Sequence, residues 1–125
     1  HEMAHAVERE YTNQIYSGSI EKEFLGKRER LYFILKGEDY PVSPVFKIKS
    51  EYDREIDDFL YHEVGYENLN MLVNGLFVSA YASTSLNEYF ARGFEEYFMG
   101  DVKYLRKISP ALYNILESLK DMEEQ

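Results

Sequence analysis

The residues best equipped for chemistry stand at the very start of the chain, His1-Glu2-Met3-Ala4-His5. On a helix, residues four apart share a face, so the His1 and His5 imidazoles can reach one cation. Glu2 lies one step round from His1, near enough to take a proton from a metal-bound water without becoming a ligand itself. Zinc lowers the pKa of such a water towards roughly 7, which makes proton removal by a carboxylate feasible. The pattern H-E-x-x-H therefore points to metal-assisted hydrolysis with Glu2 as general base. The competing explanation is an exposed amphipathic helix start, where acidic residues are favoured by the positive helix end.

The element that must carry the motif reads as a helix from His1 to about residue 16. Ala4, Val7, Tyr11 and Ile15 recur near the helical period and form one apolar stripe. Ser17-Gly18-Ser19 ends it. A catalytic zinc needs a third protein ligand and one open position. A third histidine six positions after His5 is excluded, because Tyr11 stands there. Glu21 and Glu23 have about the spacing of the thermolysin-like pattern, but their surroundings suggest no helix face that would turn a carboxylate inward.

A better candidate lies in Tyr81-Ala-Ser-Thr-Ser-Leu-Asn-Glu88-Tyr-Phe-Ala-Arg-Gly-Phe94. With H-E-x-x-H upstream, this segment resembles the zinc peptidase family of anthrax lethal factor and the Pro-Pro endopeptidases. That family carries a Tyr, a short polar turn and then Asn/Ser-x-Glu-Phe-Phe-Ala-x-x-Phe on a helix. The resemblance implies that Glu88 is the third zinc ligand and that Tyr81, seven residues earlier, helps stabilise the oxyanion. Ser109-Pro110-Ala-Leu-Tyr113 is similar to the family's closing helix. The resemblance covers residues 1–11 and about 77–119. It implies a zincin-like catalytic domain that cleaves peptide bonds in a protein or peptide substrate, with Zn2+ as cofactor.

The chain departs from the family in three ways. The stretch between His5 and Glu88 is long, which suggests an inserted subregion around 20–70. Arg92 occupies a position where the family often has a second Glu. The β-sheet that precedes the motif helix in the family, and whose edge receives substrate backbone, is absent from this chain. There is also a purely structural explanation for Glu88: Ser85 to Glu88 is S-x-x-E, a helix capping box. An inactive zincin-like binding or positioning domain is the alternative to a working enzyme.

The remaining composition narrows the setting. The chain has 125 residues, suited to a single domain. Its net charge of −9 disfavours nucleic acid and anionic membranes as partners. No apolar stretch is long enough to span a bilayer, and no signal peptide is visible. Cysteine is absent, which excludes disulfides and thiolate zinc sites. Because the chain begins inside a motif, it is expected to be part of a longer polypeptide whose upstream portion is a partner of this domain. The family resemblance favours an extracellular, secreted setting, with a virion-associated one as another candidate.

The architecture expected from the sequence is mainly α, within an α+β family. Residues 20–36 fit either one helix or a buried strand over 31–35. Residues 38–49, with Pro41 and Pro44, read as an extended loop. Ser50 and Asp53 suggest a capping box for a helix through Ile56, Phe59, Leu60 and Glu63 that Gly65 closes. A short piece follows over 67–74, and residues 76–81 suggest a short strand or extended segment. Ser83-Thr84-Ser85 opens a helix over about 86–98 that Gly100 ends, and Ser109-Pro110 opens the last one. His62-Glu63 begins like a second motif, but Tyr66 stands where its second histidine would be. Asp53, Asp57 and Asp58 suggest a solvated helix face. Glu95 and Glu96 suggest an exposed face, with support of His1 or His5 as their other possible role.

Overall fold

In the computed structural model, which describes Ala4 and residues 18–124, six helices follow one another: α1 (Ser19–Gly37), α2 (Arg54–Asp58), α3 (Tyr66–Leu72), α4 (Leu86–Met99), α5 (Val102–Ile108) and α6 (Pro110–Glu124). No strand occurs among the described residues. His1, Glu2 and His5 lie outside the described residues, while Ala4 among them is helical and fully buried.

The ambiguity over residues 20–36 resolves in favour of a helix. Ile20, Phe24, Leu31 and Leu35 are all fully buried, and their spacing marks a single helical stripe. The apolar run at 31–35 is one face plus its exposed neighbour Phe33, which explains why it also looked like a strand. A run of five residues cannot by itself separate a buried strand from a buried helix.

The loop after α1 contains a short 3₁₀ turn, Pro44–Lys47, capped by Ser43. The next helix is capped by Asp53, whose carboxylate accepts from the Ile56 amide at 3.0 Å. Ser50 plays a different part. Its hydroxyl donates to Glu21 at 2.8 Å, and its carbonyl accepts from the Leu86 amide at 2.7 Å. So the expected Ser50 cap gives way to a link between α1 and the start of α4. α2 widens into a π-helical turn over Phe59–Val64, where the Gly65 amide reaches back five residues to the Leu60 carbonyl. Gly65 ends this stretch with φ of 83°, a backbone region other residues seldom adopt.

Residues 76–81 form bends leading into a 3₁₀ turn, Tyr81–Ser83, and not a strand. The apolar side chains there do go inward, since Leu76, Phe77 and Ala80 are buried. α4 has its expected cap, Ser85, and α6 begins at Pro110 as expected, although its free amides are taken by Glu23 and not by the Ser109 hydroxyl. α5 was not anticipated from the sequence: Asp101 caps it, accepting from the Tyr104 amide at 3.1 Å.

The core is one cluster drawn from all of these elements, including the expected subregion 20–70. At its centre Phe24 of α1, Phe77 and Tyr89 of α4 meet with ring centroids 5.3–6.1 Å apart. Edge-on and tilted pairs of this kind each contribute about 0.5–1.5 kcal/mol beyond the burial itself. Tyr89 is too deep to reach water, so its hydroxyl donates to the Glu23 carboxylate at 2.6 Å and sits 2.8 Å from the Ser109 hydroxyl. Burial, followed by the Glu23 charge, raises the Tyr89 pKa far above the usual tyrosine value, keeping it a neutral donor.

Candidate functional site

The segment from Ala80 to Glu88 is built as a rigid turn feeding a helix. The Ala80 amide donates to Asn70 Oδ1 at 2.8 Å, the Ser83 hydroxyl to the Ala80 carbonyl at 2.7 Å, and the Thr84 hydroxyl to the Tyr81 carbonyl at 2.8 Å. Hydroxyls close to the backbone are well suited to such local closures. Ser85 then caps α4, accepting from the Glu88 amide at 3.2 Å. Glu88 therefore stands in the first turn of α4, where a negative side chain is favoured by the helix dipole.

Arg28 holds this turn from beneath. It is fully buried, yet its guanidinium donates to four backbone carbonyls: Ser83 at 2.7 Å, Thr84 at 2.8 Å, Phe46 at 2.8 Å and Lys49 at 3.2 Å. The Phe24 and Phe46 rings lie 4.8 and 4.3 Å from it. Five fixed donors suit an arginine to this task as no other side chain would. Burial pulls its pKa down to about 9, so it is still a cation at neutral pH. Nothing in the sequence marks Arg28 as special. It is one of several charges in Lys27-Arg28-Glu29-Arg30, and only the packing separates it from its neighbours.

Tyr81 and Glu88, seven residues apart, both meet Arg92. The Arg92 guanidinium lies 4.8 Å from the Tyr81 ring centroid. Its Nε is 3.9 Å from a Glu88 oxygen, and its Nη1 is 3.5 Å from a Glu95 oxygen. The Glu88 side chain is only 17% exposed, whereas Tyr81 is 41% exposed. Tyr81 also meets Tyr66 edge-on at 5.8 Å. The Tyr66 hydroxyl donates to Asp57 at 2.9 Å, and burial, aided by that carboxylate, raises its pKa above the usual tyrosine value. Tyr61 continues the row, 5.6 Å from Tyr66 and 4.7 Å from His62.

Of the five residues singled out by sequence, the structure describes two. Tyr81 and Glu88 share one turn-and-helix unit; His1, Glu2 and His5 lie outside the described residues. Among the described residues, no group of three His, Cys, Asp or Glu is placed to hold a metal ion. His62 is exposed at the end of its helix. Glu88 is a partly buried carboxylate at a helix start, chemically able to serve as a metal ligand, and Tyr81 is partly exposed.

Other acidic residues have structural partners. Glu23, which the sequence suggested would not turn inward, does so. It accepts from the Ala111 and Leu112 amides at 2.7 and 3.2 Å and thereby caps α6. Glu21 is occupied by Ser50. Asp53 caps α2 and pairs with Lys49 at 2.7 Å, and Asp57 accepts from Tyr66, so two of the three aspartates do more than solvate a face. Glu96 accepts from the Asp101 amide at 2.9 Å.

No known protein family, curated protein or solved structure matches the chain. No helix among the described residues is long and apolar enough to cross a membrane.

Proposed function

We propose that this chain is the catalytic part of a zinc-dependent endopeptidase, with His1, His5 and Glu88 as metal ligands. The motif H-E-x-x-H supports this reading, together with one structural observation that carries it: Tyr81 and Glu88 lie on one braced turn-helix unit and share Arg92 as a neighbour. When bound by His1, His5 and Glu88, zinc would supply a Lewis acid and make water easier to deprotonate. Glu2 accepts a proton from the attacking water and returns it to the leaving amine. The Tyr81 hydroxyl donates to the oxygen on which negative charge develops. Ser85 and the Tyr81–Ser83 turn keep the two site residues in register.

The test combines metal analysis with peptide hydrolysis. Glu2→Ala should keep about one zinc per chain and lose activity, whereas His5→Ala and Glu88→Ala should lose the metal. Full hydrolysis by Glu2→Ala would refute the assignment of the base. A folded chain that ignores added zinc would favour the non-catalytic alternative, a zincin-like binding domain.

A further inference from the structure

Arg92 sits on the same face of α4 as Glu88, one helical turn later, and touches both residues of the candidate site. Its placement has two consequences. The guanidinium lies over the Tyr81 ring, a contact that draws the ring to the cation. Tyr66 meets the ring from elsewhere, and Tyr66 is itself tied to Asp57. The ring thus contacts both an arginine and a hydrogen-bonded tyrosine. At the same time a fixed positive charge stands 3.9 Å from the Glu88 carboxylate. Both side chains are largely withdrawn from water, 34% and 17% exposed, so the charge is incompletely screened.

We propose that Arg92 is a positioning residue that clamps the Tyr81 ring and moderates metal affinity at Glu88. It acts as a resident positive charge, attracting the carboxylate that a divalent cation would share and repelling that cation. This inference rests on the peptidase reading for its metal part; the clamp on Tyr81 stands on the contacts alone. The two effects have opposite signs when Arg92 is neutralised. Metal should bind more tightly because a repelling charge is gone, while Tyr81 should lose its fixed orientation. A merely structural role would weaken metal binding and loosen the site together.

The experiment uses the full chain with 3-fluorotyrosine placed at position 81 alone, in the wild type, Arg92→Gln and Arg92→Lys. Zinc affinity is read by chelator competition with zinc alone as ligand, and ring placement by fluorine NMR. Arg92→Gln should bind zinc roughly tenfold more tightly, the size expected for losing one partly screened charge, and its Tyr81 resonance should move towards the solvent-exposed value. Arg92→Lys keeps a cation over the ring and should return both readouts most of the way to wild type. In a hydrolysis assay, Arg92→Gln should lower kcat with little change in KM. An unmoved Tyr81 resonance in a folded Arg92→Gln, or an affinity that stays level or falls, would overturn the proposal. If none of the three proteins binds zinc, the peptidase reading fails and the metal part of this inference fails with it, while the Tyr81 resonance still decides the clamp. Should Arg92→Gln fail to fold, Arg92→Lys carries the test, and a departure from wild type as large as complete loss of both properties would count against it.

Discussion

Replacing Arg28 by methionine should be among the most damaging single changes outside the site. Arg28 is fully buried and donates to four carbonyls, three of them within enclosed contacts. An enclosed acceptor left without a partner costs about 1–3 kcal/mol. Three would cost roughly 3–9 kcal/mol, and the fourth, the Lys49 carbonyl, can turn to water. Against this, methionine restores several kcal/mol by removing a cation from a dry environment. Setting the middle of the first range against the second leaves an expected net loss of about 3 kcal/mol. That is a large part of the total stability of about 5–15 kcal/mol typical of a domain. It corresponds to a fall in Tm of about 10 °C. The assay is thermal unfolding by circular dichroism, with amide exchange at Leu86–Glu88 read in parallel. Exchange there should rise more than in the second half of α1, because the Ser83 and Thr84 carbonyls anchor that turn. Arg28→Lys should lie between, since an ammonium keeps the charge but cannot span four carbonyls from two segments. A fall of under about 3 °C in Arg28→Met would refute the reasoning.

Three further outcomes follow from the packing. Glu23→Gln should destabilise the chain by about 1–2 kcal/mol, read by urea unfolding, because a neutral amide is a poorer acceptor for Tyr89 and the α6 amides; an unchanged midpoint would contradict this. Gly93→Ala places a Cβ 2.3 Å from a Leu112 methyl that is itself buried. The gain in helix propensity, about 1 kcal/mol, is outweighed by overpacking of about 1–3 kcal/mol, so the variant should unfold at lower temperature. Finally, the Asp53 carboxyl is held below its ordinary pKa, first by the Lys49 hydrogen bond and then by the Ile56 amide. A carboxylate depressed in the folded state stabilises above its unfolded pKa, and that stability is lost as pH falls through the folded value. Asp53→Asn should therefore narrow the stability difference between pH 6 and pH 2 in urea titrations; an identical acid limb in both proteins would show that Asp53 contributes nothing to it.

Local chemistry explains which features were legible without coordinates. Ser85 before an acidic first turn, Ser109 before Pro110, and the glycines at 65 and 100 are short-range signals, and each marks a helix end in the structure. The stripe Ile20, Phe24, Leu31, Leu35 was visible as a pattern, but a helix and a strand both satisfied its last five residues. α5 went unseen because its seven residues bury only Leu105, so no periodic stripe announces it. Residues 76–81 looked extended because they are apolar and β-branched in part; their inward burial is real, but turns deliver it.

What the sequence determined by itself is the identity of candidate groups and their spacing along the chain: His1, Glu2 and His5 in one motif, and Tyr81 seven residues before Glu88. Spacing within a turn or a helix fixes relative position, because the backbone geometry there is nearly constant. Tertiary structure alone decided the partners separated by long stretches of chain. It sent Arg28 under a turn 55 residues away, turned Glu23 to the start of α6, and brought Tyr66 against Tyr81. Those pairings depend on how whole helices pack, and the enclosed carbonyls that demand an arginine exist only once α1, the 44–50 loop and the start of α4 have come together.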